Sequence, residues 1–286
     1  MAGGHILMHQ RSLHQPDGQA PTDGVWLLAG TGEGPPLAAA LLAAGWRVRV
    51  SVVSPEAARA YPAHPHLQLQ VGPLPDASAV AAVLQELRPR WVIDATHPFA
   101  VRISALLEQV LAPLAQPRLR LARDAGNRAA SVGGGDAAAG GETGTERLRD
   151  LEALRQVDLR GERLLLAIGS RHLPAALAAS NAAAHFARVL DRPASLQLAL
   201  AAGLPDAHLA CLRPDHRGGG ALERALCRRW RISAVLCRQS GGAGEALWQE
   251  LAWELGLRLL LLERPPEPLS AEALPLTALL EKLGLP

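Results

Sequence analysis

A carboxylate, a hydroxyl and an imidazole fall close together in Trp91-Val92-Ile93-Asp94-Ala95-Thr96-His97-Pro98-Phe99-Ala100. Side chains of those types at that spacing can pass a proton, orient a ligand or bond backbone N–H groups. The apolar run before them reads as a strand buried on both faces of a parallel sheet. Pro98 disfavours a helical His97 and suits the first turn of a following helix. The cluster is therefore expected at the C-terminal end of a strand, the edge at which open α/β sheets bind ligands. The plainer alternative is that Asp94 or Thr96 only caps the next helix.

A second candidate is Gly30-Thr31-Gly32-Glu33-Gly34, between the apolar run Val25–Ala29 and a helix expected over Leu37–Ala44 and ended by Gly45. Backbone N–H groups in such a turn can approach a pyrophosphate, which a helix N-terminus also favours. It is not a full G-x-G-x-x-G, because Pro35-Pro36 stands where the third glycine belongs, and a tight turn without a ligand remains the alternative. The end of the next strand, Arg47–Val53, leans the expectation towards one dinucleotide. An NAD site places an acid near its end, whereas this chain offers Ser51, Ser54 and Arg59, donors suited to the extra phosphate of NADP. Ser54-Pro55 also reads as an N-cap followed by proline at the first helical position, and both roles are compatible.

The elements that must position these residues alternate strand and helix. After the glycine turn come a short helix at Ala57–Tyr61, a strand at Leu67–Val71, a helix at Ala77–Leu87, the Trp91 strand, a helix at Ile103–Leu111 and a strand near Arg118–Leu121. The rhythm resumes with strands at Leu164–Ile168, Phe186–Leu190, Ala207–Leu212, Ile232–Cys237 and Leu257–Leu262. Helices are expected at Ser195–Ala202, Ala221–Arg229, Glu245–Leu255 and Ala271–Leu283. This predicts an α/β protein of two Rossmann-like domains, each a parallel sheet flanked by helices, with a cleft between them. The expected boundaries are a disordered extension over 1–24, an NADP-binding domain over 25–124, a flexible Gly-rich linker with a short helix over 125–160, and a second, substrate-side domain over 161–286. The halves share a layout but show no alignable repeat.

Two further loops close strands of the second half. Ser240-Gly241-Gly242-Ala243-Gly244 can hold a carboxylate or phosphate of a ligand lying between the domains, or simply form a capped turn. Gly169-Ser170-Arg171-His172 is of the same kind.

Composition excludes several classes. The net charge of +2 and the absence of a basic block interleaved with aromatics argue against nucleic-acid binding. Cys211, Cys227 and Cys237 are odd in number and lack C-x-x-C spacing, against a disulfide framework or a cysteine-rich zinc site. No metal is expected: His64 and His66 are two apart in a Pro-rich loop, without H-x-x-x-H or H-E-x-x-H. There is no G-x-S-x-G elbow for a hydrolase. Tyr61 and Lys282 are the only tyrosine and lysine, which removes the Tyr-x-x-x-Lys pair of short-chain dehydrogenases and epimerases. No apolar run spans a membrane and no secretory signal opens the chain, so a soluble cytoplasmic protein is expected.

Taken in order, these segments resemble the precorrin-6A reductase family, including its cobalt-precorrin-6A counterpart. The resemblance runs from about Val25 to Pro265. It rests on Gly30-Thr31-Gly32-Glu33 with Leu37-Ala38, on Asp94-Ala95-Thr96-His97-Pro98-Phe99-Ala100 with Ile103-Ser104, on Arg120 with Arg123, on Ile168-Gly169, on Arg188-Val189-Leu190, and on Ser240-Gly241 leading through Leu255-Gly256 to Arg264-Pro265. D-A-T-H-P-F-A is its specific part. The chain departs from the family where a lysine usually precedes the second Ser-Gly, here near Arg238, and where another lies on the following helix, here near Trp248-Gln249. A Gly-Pro-Phe-like turn is replaced by Arg213-Pro214-Asp215-His216.

The resemblance implies reduction of one carbon–carbon double bond in a tetrapyrrole-derived macrocycle, by hydride from NADPH plus a proton, as a step of cobalamin biosynthesis. A non-catalytic NADP-binding regulator, or another NAD(P)-dependent oxidoreductase, would keep the glycine turn without needing the D-A-T-H-P-F-A chemistry. Partners implied are the macrocycle and neighbouring corrin-pathway enzymes. The cofactor would lie on Gly30, Thr31, Gly32, Glu33, Ser54, Arg59 and Thr96. Asp94 and His97 are the candidate acid–base pair, the rival being a structural Asp94 with the proton taken from solvent. A macrocycle rich in carboxylates calls for forked guanidinium and backbone N–H donors. Arg102, Arg120, Arg123, Arg171, Arg188, Ser240, Gly241 and Gly242 are the candidates.

Overall fold

The structure is a computed structural model that describes residues 22–123, 145–213, 219–268 and 270–285. All but the last three residues of the expected N-terminal extension, the glycine clusters of the expected linker, and the turn after Arg213 lie outside the described residues. The first strand, β1 (Thr22–Ala29), reaches three residues into that expected extension.

Strands and helices then alternate as the hydrophobic pattern requires: α1 (Gly34–Ala43), β2 (Arg47–Val52), α2 (Pro55–Ala58), β3 (Leu67–Val71), α3 (Ala77–Leu87), β4 (Pro89–Ala95), α4 (Val101–Leu111) and β5 (Arg118–Leu121). Gly45, at φ +86°, supplies the left-handed residue that turns the chain out of α1. The second series runs β6 (Thr145–Leu148), β7 (Arg163–Ala167), α5 (Leu173–Ala179), β8 (Ala184–Leu190), α6 (Pro193–Ala201), β9 (Leu209–Leu212), α7 (Ala221–Trp230), β10 (Ala234–Arg238), α8 (Ala243–Leu255) and β11 (Arg258–Leu262). It closes with β12 (Glu272–Leu274) and α9 (Leu276–Lys282).

These strands form two parallel six-stranded sheets, ordered β3-β2-β1-β4-β5-β12 and β9-β8-β7-β10-β11-β6. Helices cover both faces of each. In the first sheet Leu37 and Leu41 of α1 and Leu279 of α9 pack on one side, and Val80, Val83, Leu107 and Leu111 of α3 and α4 on the other. In the second, α5 and α6 oppose α7 and α8 in the same way. The expected fold class is what the structure has. Both sheets follow the doubly wound order, which reverses between β1 and β4 in one and between β7 and β10 in the other; ligands bind in the crevice at such reversals.

The outermost strand of each sheet departs from the expected boundaries. β6, inside the expected linker, pairs with β11 of the second sheet. β12 pairs with β5 of the first sheet, and α9 packs on that sheet's core. The expected single helix over Ala271–Leu283 is therefore a strand and a shorter helix, and they close the first unit rather than the second. The chain crosses between the units twice. The second crossing is pinned where Arg264 Nη1 donates to Arg123 O at 2.8 Å and where Arg120 Nε meets Glu267.

Candidate functional site

Parallel pairing of β1 with β4 sets Ala29 opposite Ala95, so the glycine turn and the Asp-Thr-His corner leave the sheet side by side. Thr31 Oγ1 donates to Ala95 O at 3.3 Å. The Arg123 guanidinium, just past β5, fastens the two together. It donates from Nε to Glu33 Oε1 at 2.9 Å, from Nη2 to Thr31 Oγ1 at 2.9 Å and from Nη1 to Thr96 O at 3.0 Å. Burial alone would raise the Glu33 pKa, but Arg123 and Thr31 outweigh it and hold the carboxyl below its ordinary value.

The three glycines of the turn do different things. A Cβ on Gly34 would lie 2.3 Å from the Tyr61 hydroxyl and 2.8 Å from Ala29 Cβ, so Gly34 allows α1 to pack against β1. It takes the packing role expected of the missing third glycine, one residue early. A Cβ on Gly30 or Gly32 would meet nothing within 4 Å, leaving their faces open to a ligand. Gly34 N is bonded to Thr31 O, and Pro35 and Pro36 carry no N–H. The Thr31 and Gly32 N–H groups have no acceptor among the described residues. The open N–H donors of this site therefore lie on the turn itself, directly before the N-terminus of α1.

Asp94 and His97 do not form the expected acid–base pair. Asp94 is fully buried. Its Oδ1 accepts from Thr96 N at 3.1 Å and Thr96 Oγ1 at 2.7 Å, and its Oδ2 accepts from Arg118 Nη2 at 3.1 Å, Arg120 Nη1 at 2.5 Å and Ser104 Oγ at 3.3 Å. Burial would raise its pKa; Arg120, Thr96 and Arg118 together bring it below the ordinary value, and both oxygens are spent. His97 Nδ1 accepts from Phe99 N at 3.2 Å, which puts the proton of the neutral ring on Nε2. Burial, with Arg238 and Arg123 nearby, pushes its pKa down to about 3, so the ring stays neutral at physiological pH.

Of the arginines expected on substrate, most are committed within the protein. Arg102 Nη2 donates to Pro75 O at 2.5 Å. Arg120 lies buried between Asp94 and Glu267. Arg123 is the clamp just described, and Arg188 pairs with Glu223 at 3.3 Å. Arg102 and Arg171 are both exposed and without an ion pair among the described residues, but only Arg171 also lacks a side-chain hydrogen bond there. At the second glycine loop, Gly241 N already donates to Glu245 Oε2 at 2.6 Å, the capped-turn alternative, whereas Ser240 and Gly242 keep their polar groups outside that bond. Near β2, Ser51 is buried against Trp26 Nε1 and Gln70, Ser54 caps α2 by accepting from Ala57 N, and Arg59 is exposed.

The two sheets present these edges to each other. A Cβ on Gly242 would lie 3.8 Å from Glu33 Oε1. Phe99 packs against the second unit's core, with Arg238 Cζ 5.3 Å from its ring centre. Charge on Arg238 and His172, both of the second unit, is felt at His97. Sequence reasoning passed over Arg238 as a site residue, although its place at a strand end before Ser-Gly-Gly was the available signal. Among the described residues no group of three or more His, Cys, Asp and Glu could hold a metal ion, and no helix is long and apolar enough to cross a membrane.

Two doubly wound units with opposed switch points, one bearing an open glycine turn, define an α/β protein of the Rossmann-like class, in which ligands bind at such switch points. Residues 24–282 match the family described as precorrin-6x reductase CbiJ/CobK, and the chain belongs to that family. It is 32% identical to the cobalt-precorrin-6A reductase of Synechocystis sp., over 84% of this chain and 88% of that protein. It is also 32% identical to the precorrin-6A reductase of Mycobacterium tuberculosis, over 87% of this chain and 92% of that one. A solved structure described as CobK precorrin-6A reductase superposes with a TM-score of 0.69 at 25% identity, covering 91% of this chain and 96% of that chain.

Proposed function

We propose that this chain reduces one carbon–carbon double bond of a precorrin-6A-type macrocycle, using NADPH, in cobalamin biosynthesis. The observation that carries the reading is the adjacency of the open Gly30–Gly32 turn and the Thr96-His97 corner, facing the second sheet across the cleft. The turn suits the cofactor's pyrophosphate, since its Thr31 and Gly32 N–H groups lack acceptors among the described residues and a Cβ on Gly30 or Gly32 would meet none of those residues within 4 Å. Ser54 and Arg59, at the end of β2, suit the 2′-phosphate. A reduced nicotinamide bound there supplies a hydride to one carbon of the double bond.

The chain's own residues bind, orient and exclude water. Arg123 keeps the Glu33 carboxylate turned onto itself and away from the pyrophosphate. Asp94 positions: it fixes Thr96 and, through Arg118 and Arg120, the neighbouring strand. Neutral His97 offers an Nε2–H as a hydrogen-bond donor, not a proton to be released. With Asp94 ionised and enclosed, the proton for the second carbon comes from water. Arg171, exposed and without an ion pair among the described residues, suits a macrocycle carboxylate at the rim.

The test is anaerobic incubation of the purified protein with NADPH and either precorrin-6A or cobalt-precorrin-6A. Oxidation of NADPH matched by reduction of one macrocycle supports the reading, and the preferred macrocycle tells which substrate it serves; no turnover of either overturns it. Replacing Arg59 with alanine should narrow the preference for NADPH over NADH, and an unchanged ratio would remove Arg59 from the 2′-phosphate.

A further inference from the structure

At the second switch point stands a positive charge that no carboxylate among the described residues answers. Arg238 ends β10, beside the turn that follows β7. A Cβ on Gly169, at φ +88°, would lie 3.7 Å from Arg238 Nη2, so the guanidinium runs close along that glycine. Among the described residues the Arg238 side chain makes no hydrogen bond and no ion pair. Its neighbours on the facing elements are Phe99 and His97 of the first unit and His172 of its own, with Arg171 beyond. None of these carries negative charge. The contrast with Arg120, Arg123 and Arg188 is direct, since each of those is matched by an acid.

The contact that Arg238 does make is suited to ligand binding. The cation–π contact with the Phe99 ring uses none of the guanidinium N–H groups as hydrogen-bond donors, so they stay available to a ligand. Those groups form a fork that matches a carboxylate with two parallel hydrogen bonds. The ring also fixes the side chain's direction, which lowers the entropy lost when a ligand is gripped. The phenylalanine of D-A-T-H-P-F-A thus works across the cleft, on a residue of the other sheet.

We propose that Arg238, held by Phe99, binds a carboxylate of the macrocycle and sets which face of it meets the cofactor side; this assignment rests on the reductase reading above. The carboxylate, not a cofactor phosphate, is the fitting partner because the open N–H groups of the pyrophosphate turn lie on the first sheet, with the Glu33 carboxylate between that turn and the second glycine loop.

The experiment compares wild type, Arg238→Gln and Arg238→Lys in two measurements: the dissociation constant for precorrin-6A without cofactor, and KM and kcat with NADPH. Loss of a charge-assisted fork should raise both the dissociation constant and KM of Arg238→Gln by about 10- to 100-fold. The lysine variant, with charge but no fork, should recover part of the loss, and NADPH affinity should stay within about twofold of wild type in both. Macrocycle binding unchanged in Arg238→Gln, or a loss confined to NADPH affinity, would overturn the assignment. If wild type turns over precorrin-6A and Arg238→Gln matches it, this assignment alone fails. If wild type neither binds nor reduces either macrocycle, the reductase reading fails and takes the assignment with it.

Discussion

Arg123 donates from Nε to Glu33 Oε1 at 2.9 Å, and the same guanidinium reaches Thr31 and the carbonyl of Thr96. One side chain therefore holds the glycine turn against the corner after β4 and neutralises the acid that sits in that turn. Without it, Glu33 would place an unpaired carboxylate beside the proposed pyrophosphate. Arg123→Ala should weaken NADPH binding by about 10- to 100-fold, and adding Glu33→Gln should recover part of that loss. Isothermal titration of the single and double variants checks this; a double variant no better than Arg123→Ala would mean that the clamp, not the charge, is what matters.

Gly34 and Gly32 should fail in opposite ways. Gly34→Ala forces a methyl against the Tyr61 hydroxyl and Ala29, at a cost of about 1–3 kcal/mol in unfolding stability, and Tyr61→Phe should relieve part of it. Gly32→Val meets no protein atom at its Cβ and should leave stability nearly unchanged while abolishing tight NADPH binding. Urea melts and cofactor titrations on the same samples separate the two. Equal losses of stability in both variants would contradict the division.

Asp94→Asn should act first on stability. It leaves the buried guanidinium groups of Arg118 and Arg120 without their shared carboxylate, a change that costs about 3–5 kcal/mol in comparable sites. Because the folded pKa of Asp94 lies below its unfolded value of about 3.9, the contribution is present above that pH and lost as pH falls through the folded value. Chemical denaturation at neutral pH is the measurement. A variant as stable as wild type but inactive would restore Asp94 to the chemistry.

His97 gives a pH signature of the same sign, beginning at higher pH. Its pKa falls from 6.5 unfolded to about 3 folded, so between those values the unfolded chain takes up a proton that the folded chain refuses. Stability should therefore drop as pH falls below about 6.5, by up to about 1.4 kcal/mol per unit from this group. Replacement by glutamine should make that slope shallower. The remaining slope belongs to groups such as His172 and His185, whose pKa values are also lowered, chiefly by burial. An identical slope in His97→Gln would mean the ring is solvated.

The alternation of apolar runs and turn residues made the doubly wound units legible, and Pro98 after His97 correctly put the polar corner at a strand end. The exchanged outer strands were not legible. Thr145–Leu148 and Glu272–Leu274 are too short to carry a periodic signal, and their pairing is decided by partners more than a hundred residues away. The arginines failed for a related reason. Arg120 looks free in sequence, but β5 pairs with β4 in a register that sets it directly opposite Asp94. Whether a guanidinium is spent or available depends on such registers, and so Arg238, unpaired among the described residues at its own strand end, was overlooked. Gly34 was hidden by the diproline after it, which masked a packing glycine one position from where the usual spacing puts it.

Transfer of deuterium gives the most direct test of reduction across the cleft by a cofactor hydride and a solvent proton. With NADPH deuterated at the transferable position, in ordinary water, the reduced macrocycle should carry a single deuterium; with ordinary NADPH in heavy water it should again gain one at the newly saturated bond, at the other carbon. A product that takes both hydrogens from water, or none from the cofactor, would contradict the account.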